Sequence, residues 1–147
     1  MATKVSPRSR ARVLAITALY QVDLLEKTID EVIQDVRGGV SDEVESLYYL
    51  SKNERKASLD FFESLLKGTW EKREELDTRL SDNLDNWTLD RVGNLERAIL
   101  RLGSYELLFC EDILSKVTLN EMVELSKSFC DIKSKDFING VLDAISP

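Results

Sequence analysis

The chain has 147 residues, of which 43% are hydrophobic and 32% are charged, as is typical of one globular domain with its own core. It contains two Cys and no His, so the usual Ser/His/Asp and Cys/His nucleophile systems are excluded. Cys110 and Cys130 lack the spacing of a metal or redox motif. We therefore expect free, buried thiols, no metal site and a reducing, cytoplasmic environment.

The net charge of −7 is unevenly distributed along the chain. The first 22 residues carry four basic side chains and no acidic one, whereas the remaining residues carry 16 basic and 27 acidic side chains. As a total, this charge argues against a nucleic-acid partner, which needs a basic surface. As a pattern, it predicts a basic phosphate-binding segment on an acidic body, and the alternative is a solvated basic tail. The four basic residues are Lys4, Arg8, Arg10 and Arg12.

The apolar run at residues 13–22 raises the question of a targeting or membrane segment. It contains Thr17 and Gln21, lacks a signal-peptide cleavage site and is too short to span a bilayer. We interpret it as part of a helix that is nearly surrounded by neighbours, with Ser6 as N-cap and Pro7 as its first residue. Because a guanidinium group is not buried without a partner, we expect the arginines to project into solvent or onto a partner.

Helix signals recur through the rest of the chain and predict an all-α protein of about seven helices in two packed subdomains. We expect one domain over residues 1–147, with the subdomains divided near residues 82–90. Capping residues mark the predicted helix starts, and Glu121 is interpreted as the N3 residue of its capping box. The predicted caps are Thr28, Ser41, Ser51, Thr118 and Ser134.

The sequence also predicts where one of these helices ends, where another is interrupted and where a third one lies. The helix after Thr28 ends at Arg37, before two glycines. The long helix after Ser51 is interrupted near Gly68, and an amphipathic helix lies within residues 87–109.

Four stretches of this chain, in order and covering nearly its whole length, resemble the NusB family. Each motif is weak alone, but four in register are specific. The matching stretches are RSRAR at 8–12 with ALYQ at 18–21, LERAILRLGSYEL at 95–107, KVTLNE at 116–121 and FINGVL at 137–142.

The resemblance implies a transcription antitermination factor and not an enzyme, with no cofactor. It implies binding of boxA-type single-stranded RNA together with the ribosomal protein NusE. The complex would help RNA polymerase read through termination signals, chiefly in ribosomal RNA operons. The resemblance also implies that the chain can form a homodimer. It implies no membrane partner.

The resemblance also implies a set of site residues. Besides the four basic N-terminal residues, Tyr20 matches a tyrosine near the family's RNA surface, and residues 133–135 form a loop that lies against the RNA. Glu96 matches a position near the protein partner. Lys133 stands where relatives often have an acidic side chain, so we expect stronger phosphate attraction there. The RNA-binding residues of this loop are Lys133, Ser134 and Lys135.

Each of these residues also has a simpler interpretation. Tyr20 can be a core aromatic, the lysine loop an ordinary charged loop, and Glu96 a surface carboxylate. The sequence also bears on two other function classes. A ribosomal RNA methyltransferase is disfavoured because the chain has no Gly-rich cofactor loop. A protein-only helical adaptor or homodimer that binds a basic ribosomal protein remains as the alternative.

Overall fold

The computed structural model describes residues 6–39, 47, 49–85 and 88–147. These residues form seven α-helices and a 3-10 helix at Leu89–Arg91, with no strand among them, which confirms the all-α prediction. The predicted short helix after Ser41 lies almost entirely outside the described residues. The α-helices are α1 (Pro7–Leu25), α2 (Ile29–Arg37), α3 (Lys52–Glu71), α4 (Arg73–Ser81), α5 (Asn94–Phe109), α6 (Ser115–Phe129) and α7 (Ser134–Ile145).

The chain divides into two compact units, Met1–Lys67 and Gly68–Pro147, so the boundary falls within α3. The predicted division near residues 82–90 is wrong because α4 belongs to the second unit. Both Leu76 and Leu80 of α4 are fully buried. Asp77 accepts two hydrogen bonds of 2.8 Å from the guanidinium of Arg101 in α5, which fixes α4 against its neighbour.

In the first unit, α1 begins as predicted, with Ser6 as N-cap and Pro7 as its first residue. Eight of its residues are buried, among them Leu14, Ile16 and Leu19, as expected for a helix with neighbours on most sides. This enclosure stops before its last turn, where Leu24 and Leu25 are 40% and 60% exposed. Among the described residues, no helix is both long and apolar enough to cross a membrane.

Local caps start the next two helices of the first unit. The Thr28 hydroxyl accepts a 3.1 Å hydrogen bond from Glu31 N, and α2 ends at Arg37 before Gly38, as predicted. At the start of α3, Ser51 Oγ accepts from Glu54 N at 3.1 Å, and Ser51 N donates to the Glu54 carboxylate at 3.2 Å. This reciprocal pair is the predicted capping box.

The break in the long helix lies at Lys72, between α3 and α4, and not near Gly68 as predicted. Gly68 is an internal residue of α3. A Cβ at this position would clash with the ring and hydroxyl of Tyr105 in α5. Glycine is therefore needed here for close packing, since it lets an aromatic ring lie directly against the helix backbone.

In the second unit, α5 packs against α4, α6 and α7. Its core includes Ile99, Leu102, Met122, Ile138 and Leu142, all fully buried. All five are apolar residues at helical spacing in the sequence.

The predicted capping box at Thr118 is wrong. The helix α6 starts four residues earlier than predicted, with Leu114 at the N-cap position, so Glu121 is not its N3 residue. Thr118 is fully buried, and its hydroxyl donates a 3.1 Å hydrogen bond to the carboxylate of Glu106 in α5. The Thr118 hydroxyl therefore bonds to Glu106, twelve residues away in the sequence, instead of capping its own helix as the motif predicted.

Candidate nucleic-acid interface

The basic start of α1 is held in place by α3. The Ser6 hydroxyl accepts a 3.1 Å hydrogen bond from Ser9 N, which caps the first turn of α1. From α3, the buried hydroxyl of Ser58 donates a 2.7 Å hydrogen bond to Pro7 O. The backbone that carries the arginines is therefore fixed at both its cap and its first turn.

Two of the predicted arginines share one aromatic neighbour, Phe61 of α3. The guanidinium carbon of Arg8 lies 4.7 Å from the centre of the Phe61 ring, and that of Arg12 lies 5.5 Å from it. Cation–π contacts at these distances are attractive. Arg8 is exposed, so it can reach a ligand while it lies on the ring.

Arg12 corrects the expectation that all the arginines project into solvent, because it is only 2% exposed. The prediction failed because the sequence does not show that Phe61 of α3 lies beside the first turns of α1. A buried guanidinium is tolerated where it has aromatic and polar neighbours. Arg12 thus fixes the position of the basic segment, and its contact with RNA stays a prediction.

Arg10 and Tyr20 are both partly buried. The Nε atom of Arg10 is buried and has no hydrogen-bond partner. An unsatisfied donor of this kind is unfavourable, and a phosphate oxygen could satisfy it after a side-chain rotation. Tyr20 lies eight residues beyond Arg12, about 12 Å along the helix axis, so it is not part of the Phe61 cluster. Lys4 lies outside the described residues.

The second predicted RNA-binding segment lies at the start of α7. Lys133 is exposed and occupies the N-cap position, while Lys135 is partly exposed in the first turn. Ser134 is the first helical residue and not the predicted cap. Its hydroxyl instead donates a 3.0 Å hydrogen bond to the carboxylate of Glu96 at the start of α5.

Glu96 and the start of α7 line a shallow groove of about 580 Å³, here called the Glu96 groove. Two basic and two acidic side chains lie along it, so its charge is balanced. Gly93 leaves room for this arrangement, because a Cβ there would make the Glu96 carboxylate move. The lining residues are Arg91, Val92, Gly93, Glu96, Asp131, Lys133, Ser134 and Phe137.

Cys130 lies beside the Glu96 groove as a free thiol. Burial raises its pKa to about 12, and the negative charge and hydrogen bond of Glu96 act in the same direction. The thiol therefore stays protonated at neutral pH. Both cysteines are thiols outside any disulfide, as predicted, but each is partly rather than fully buried.

The structure brings some of the predicted site residues together within each unit. In the first unit, Arg8 and Arg12 meet at Phe61. In the second unit, Ser134 and Glu96 are directly bonded, although the resemblance implied RNA for one and a protein partner for the other. Each arrangement presents an exposed basic side chain near an aromatic one, Phe61 in the first unit and Phe137 in the second, which suits a phosphodiester ligand.

Sequence reasoning missed Phe61, Arg91 and Gly93. Phe61 lies beside Phe62, which is on the buried face of α3, so Phe61 falls outside that apolar face and is only partly buried. An aromatic residue at such a position was a usable signal for a surface role. Nothing in the sequence indicated the packing of Gly93 against Glu96.

The comparisons with known proteins agree with this fold. The model of the NusB family matches residues 9–147, so the chain belongs to the NusB family. The transcription antitermination protein NusB of Exiguobacterium sp. (strain ATCC BAA-1283 / AT1b) is 41% identical over 94% of this chain and 95% of its own length. NusB of Bacillus subtilis (strain 168) is 39% identical over 94% of this chain and 93% of its own length.

Solved structures show the same similarity. NusB of T. maritima is 28% identical, with a TM-score of 0.76 over 99% of this chain and 92% of that one. The crystal structure of the antitermination factors NusB and NusE in complex with dsRNA contains a chain that is 29% identical. That chain has a TM-score of 0.77, and the match covers 95% of each chain.

Proposed function

We propose that this chain acts as a single domain that binds boxA-type single-stranded RNA together with the ribosomal protein NusE. In this role it is a transcription antitermination factor that supports read-through by RNA polymerase, chiefly of ribosomal RNA operons. It acts in the cytoplasm by binding and not by catalysis. The names of its relatives support this role, as does the similarity to a NusB that was crystallised with NusE and dsRNA.

The observation that carries the proposal is the fixed basic start of α1. Ser58 and the Ser6 cap hold its backbone, and Phe61 lies under the exposed guanidinium of Arg8. A guanidinium group binds phosphate oxygens in pairs, and a preformed position lowers the entropy lost on binding. Arg8 and Arg10 are the direct phosphate ligands in this proposal, and buried Arg12 positions them.

The start of α7 provides the second set of RNA contacts. Lys133 is exposed, and the Ser134–Glu96 hydrogen bond fixes the backbone next to it. An acidic side chain in place of Lys133 would repel phosphate, so the lysine at this position favours binding of RNA. In this proposal Glu96 contributes to NusE binding, because a carboxylate attracts a basic ribosomal protein.

The strandedness of the RNA is tested directly. We expect a fluorescent single-stranded boxA RNA to bind weakly to the chain alone and more tightly after NusE is added. The same sequence annealed to its complement should bind less tightly, because its bases are not available for stacking. Equal affinity for the duplex would contradict the single-strand assignment, although RNA binding itself would stand.

The alternative function is a protein-only adaptor or a homodimer, and a second experiment distinguishes it from RNA binding. Gel filtration of the chain with NusE, with and without RNA, distinguishes the outcomes. A stable complex with NusE that neither binds nor crosslinks to RNA would contradict the proposed role in favour of the adaptor. A homodimer that dissociates when RNA is added would agree with it.

A further inference from the structure

The face between α6 and α7 carries a second groove of about 580 Å³, here called the lysine groove. Three lysines lie along it, in a unit whose 10 basic and 16 acidic residues give it a net charge of −6. Its basic character therefore opposes the charge of the surface around it. The lining residues are Lys116, Leu119, Asn120, Val123, Lys127, Lys135, Asp136 and Asn139.

Helical spacing arranges these side chains in a row. Lys116, Asn120, Val123 and Lys127 follow one face of α6, and the span from Lys116 to Lys127 is about 16 Å. Both of these lysines are exposed. Such a row matches several successive phosphates of an extended strand better than it matches one small anion.

The lysine groove also contains apolar side chains and amides. Leu119 and Val123 form a partly buried apolar floor, and the amides of Asn120 and Asn139 are exposed along its sides. Amides both donate and accept hydrogen bonds, as contacts to base edges and ribose hydroxyls require. The acidic side chains near it are Asp136 on its wall and Glu124, which accepts a 3.1 Å bond from Lys127.

The lysine groove and the surface already proposed to bind RNA both use the first turn of α7. At the start of α7, Lys133 and Ser134 line the Glu96 groove, while Lys135 and Asp136, the next two residues, line the lysine groove. The lysine groove therefore begins, at Lys135, within one helical turn of Lys133 along the axis of α7. A third groove, lined by Asp82, Asp85 and Asp136, holds no basic residue.

We infer that the lysine groove binds the sugar–phosphate backbone of the RNA that flanks the boxA element. This inference rests on the proposed function and adds a second site to it. Lys116, Lys127 and Lys135 are its phosphate ligands. Because backbone contacts carry no sequence information, the groove extends the bound length of RNA without narrowing the sequence that is recognised.

The test compares two single-stranded RNAs, one limited to the boxA element and one extended at both ends by unstructured oligouridine. Affinity for the chain with NusE is measured against salt concentration. The test variant is Lys116→Gln with Lys127→Gln. The matched control is Lys52→Gln with Lys56→Gln on α3, where Lys56 pairs with Asp60 much as Lys127 pairs with Glu124.

We expect the extended RNA to bind the unmodified chain more tightly and with a steeper salt dependence than the short RNA. The test variant should lose that gain, with a salt slope lower by about 1.4 for two lost contacts. It should bind the short RNA normally, and the control variant should match the unmodified chain on both RNAs.

Three results would overturn the inference. If the extended RNA gains nothing while the short RNA binds, the lysine groove fails and the proposed function stands. If the test variant weakens NusE binding without RNA, the groove belongs to a protein partner. If neither RNA binds the unmodified chain, the proposed function fails together with the groove.

Discussion

The hydroxyl of Ser134 donates a 3.0 Å hydrogen bond to the carboxylate of Glu96, and this bond joins the start of α7 to the start of α5. The same carboxylate helps to raise the pKa of the Cys130 thiol and lies against Gly93. Glu96 therefore organises the groove in which Lys133 is exposed. Its structural role and its proposed role in partner binding can be separated by substitution.

The first prediction concerns the acceptor atom of Glu96. Glu96→Gln keeps an oxygen that accepts from Ser134, so we expect the free energy of unfolding to change by less than about 1 kcal/mol. NusE binding should weaken, because the negative charge is lost. Urea unfolding and titration with NusE measure the two effects. Ser134→Ala is the control, and a loss of NusE affinity equal to that of Glu96→Gln would show that the bond matters rather than the charge.

A second prediction compares two glycines that both lie within helices. Gly68→Ala should destabilise the chain by about 1–3 kcal/mol, because the new methyl group meets the Tyr105 ring. Gly140→Ala should stabilise it by about 0.5–1 kcal/mol, since nothing lies within 4 Å of a Cβ there and alanine favours the helix. Thermal unfolding checks both variants. Equal effects of the two substitutions would contradict the close packing of Tyr105 on α3.

Arg8 and Arg12 should respond differently to alanine substitution. Arg12→Ala removes a side chain that is only 2% exposed, so we expect a loss of about 2–3 kcal/mol in the free energy of unfolding. Arg8→Ala removes an exposed cation–π contact, and we expect a loss below about 1 kcal/mol. Denaturant unfolding of both variants measures the difference. If Arg12→Ala cost no more stability than Arg8→Ala, the positioning role of Arg12 would be wrong.

The pKa of Cys130, raised to about 12, makes a prediction about pH. The folded state favours the protonated thiol, so its contribution to stability is present below the ordinary pKa of about 9 and is lost as the pH rises from 9 towards 12. At pH 8 to 9, Cys130 should be alkylated much more slowly than a cysteine in the unfolded chain.

The measurement uses Cys110→Ser, which leaves Cys130 as the only thiol. In that background, Glu96→Gln should lower the pKa of Cys130 and speed alkylation, because the carboxylate charge no longer opposes the thiolate. Rates that are unchanged by Glu96→Gln would exclude this electrostatic cause. A rate equal to that of the unfolded chain would exclude the raised pKa itself.

Sequence reasoning succeeded where the partner of a residue lies within four positions of it. The Ser6 cap, the Thr28 cap and the reciprocal pair of Ser51 and Glu54 are all local, and each was predicted. Apolar spacing also indicated part of the buried face of each helix, such as Ile99 in α5 and Leu142 in α7, but it did not indicate every buried residue of α5.

The predictions failed where a distant residue determines the local structure. Thr118 bonds Glu106 and Ser134 bonds Glu96 instead of capping helices, and Gly68 packs against Tyr105 instead of ending one. Such contacts depend on the tertiary arrangement, which capping motifs and turn residues do not encode. The same limit applies to the candidate site, where the residue types were predictable but the burial of Arg12 was not.

The most direct test of the account is the salt dependence of boxA RNA binding by the chain with NusE. The variant Arg8→Ala with Arg10→Ala is compared with a control, Lys52→Ala with Arg79→Ala, which removes two exposed cations elsewhere in the chain. We predict weaker binding and a salt slope lower by about 1.4 for the first variant, and no change for the control. Equal slopes and affinities for both variants and the unmodified chain would contradict the assignment of the RNA site to the start of α1.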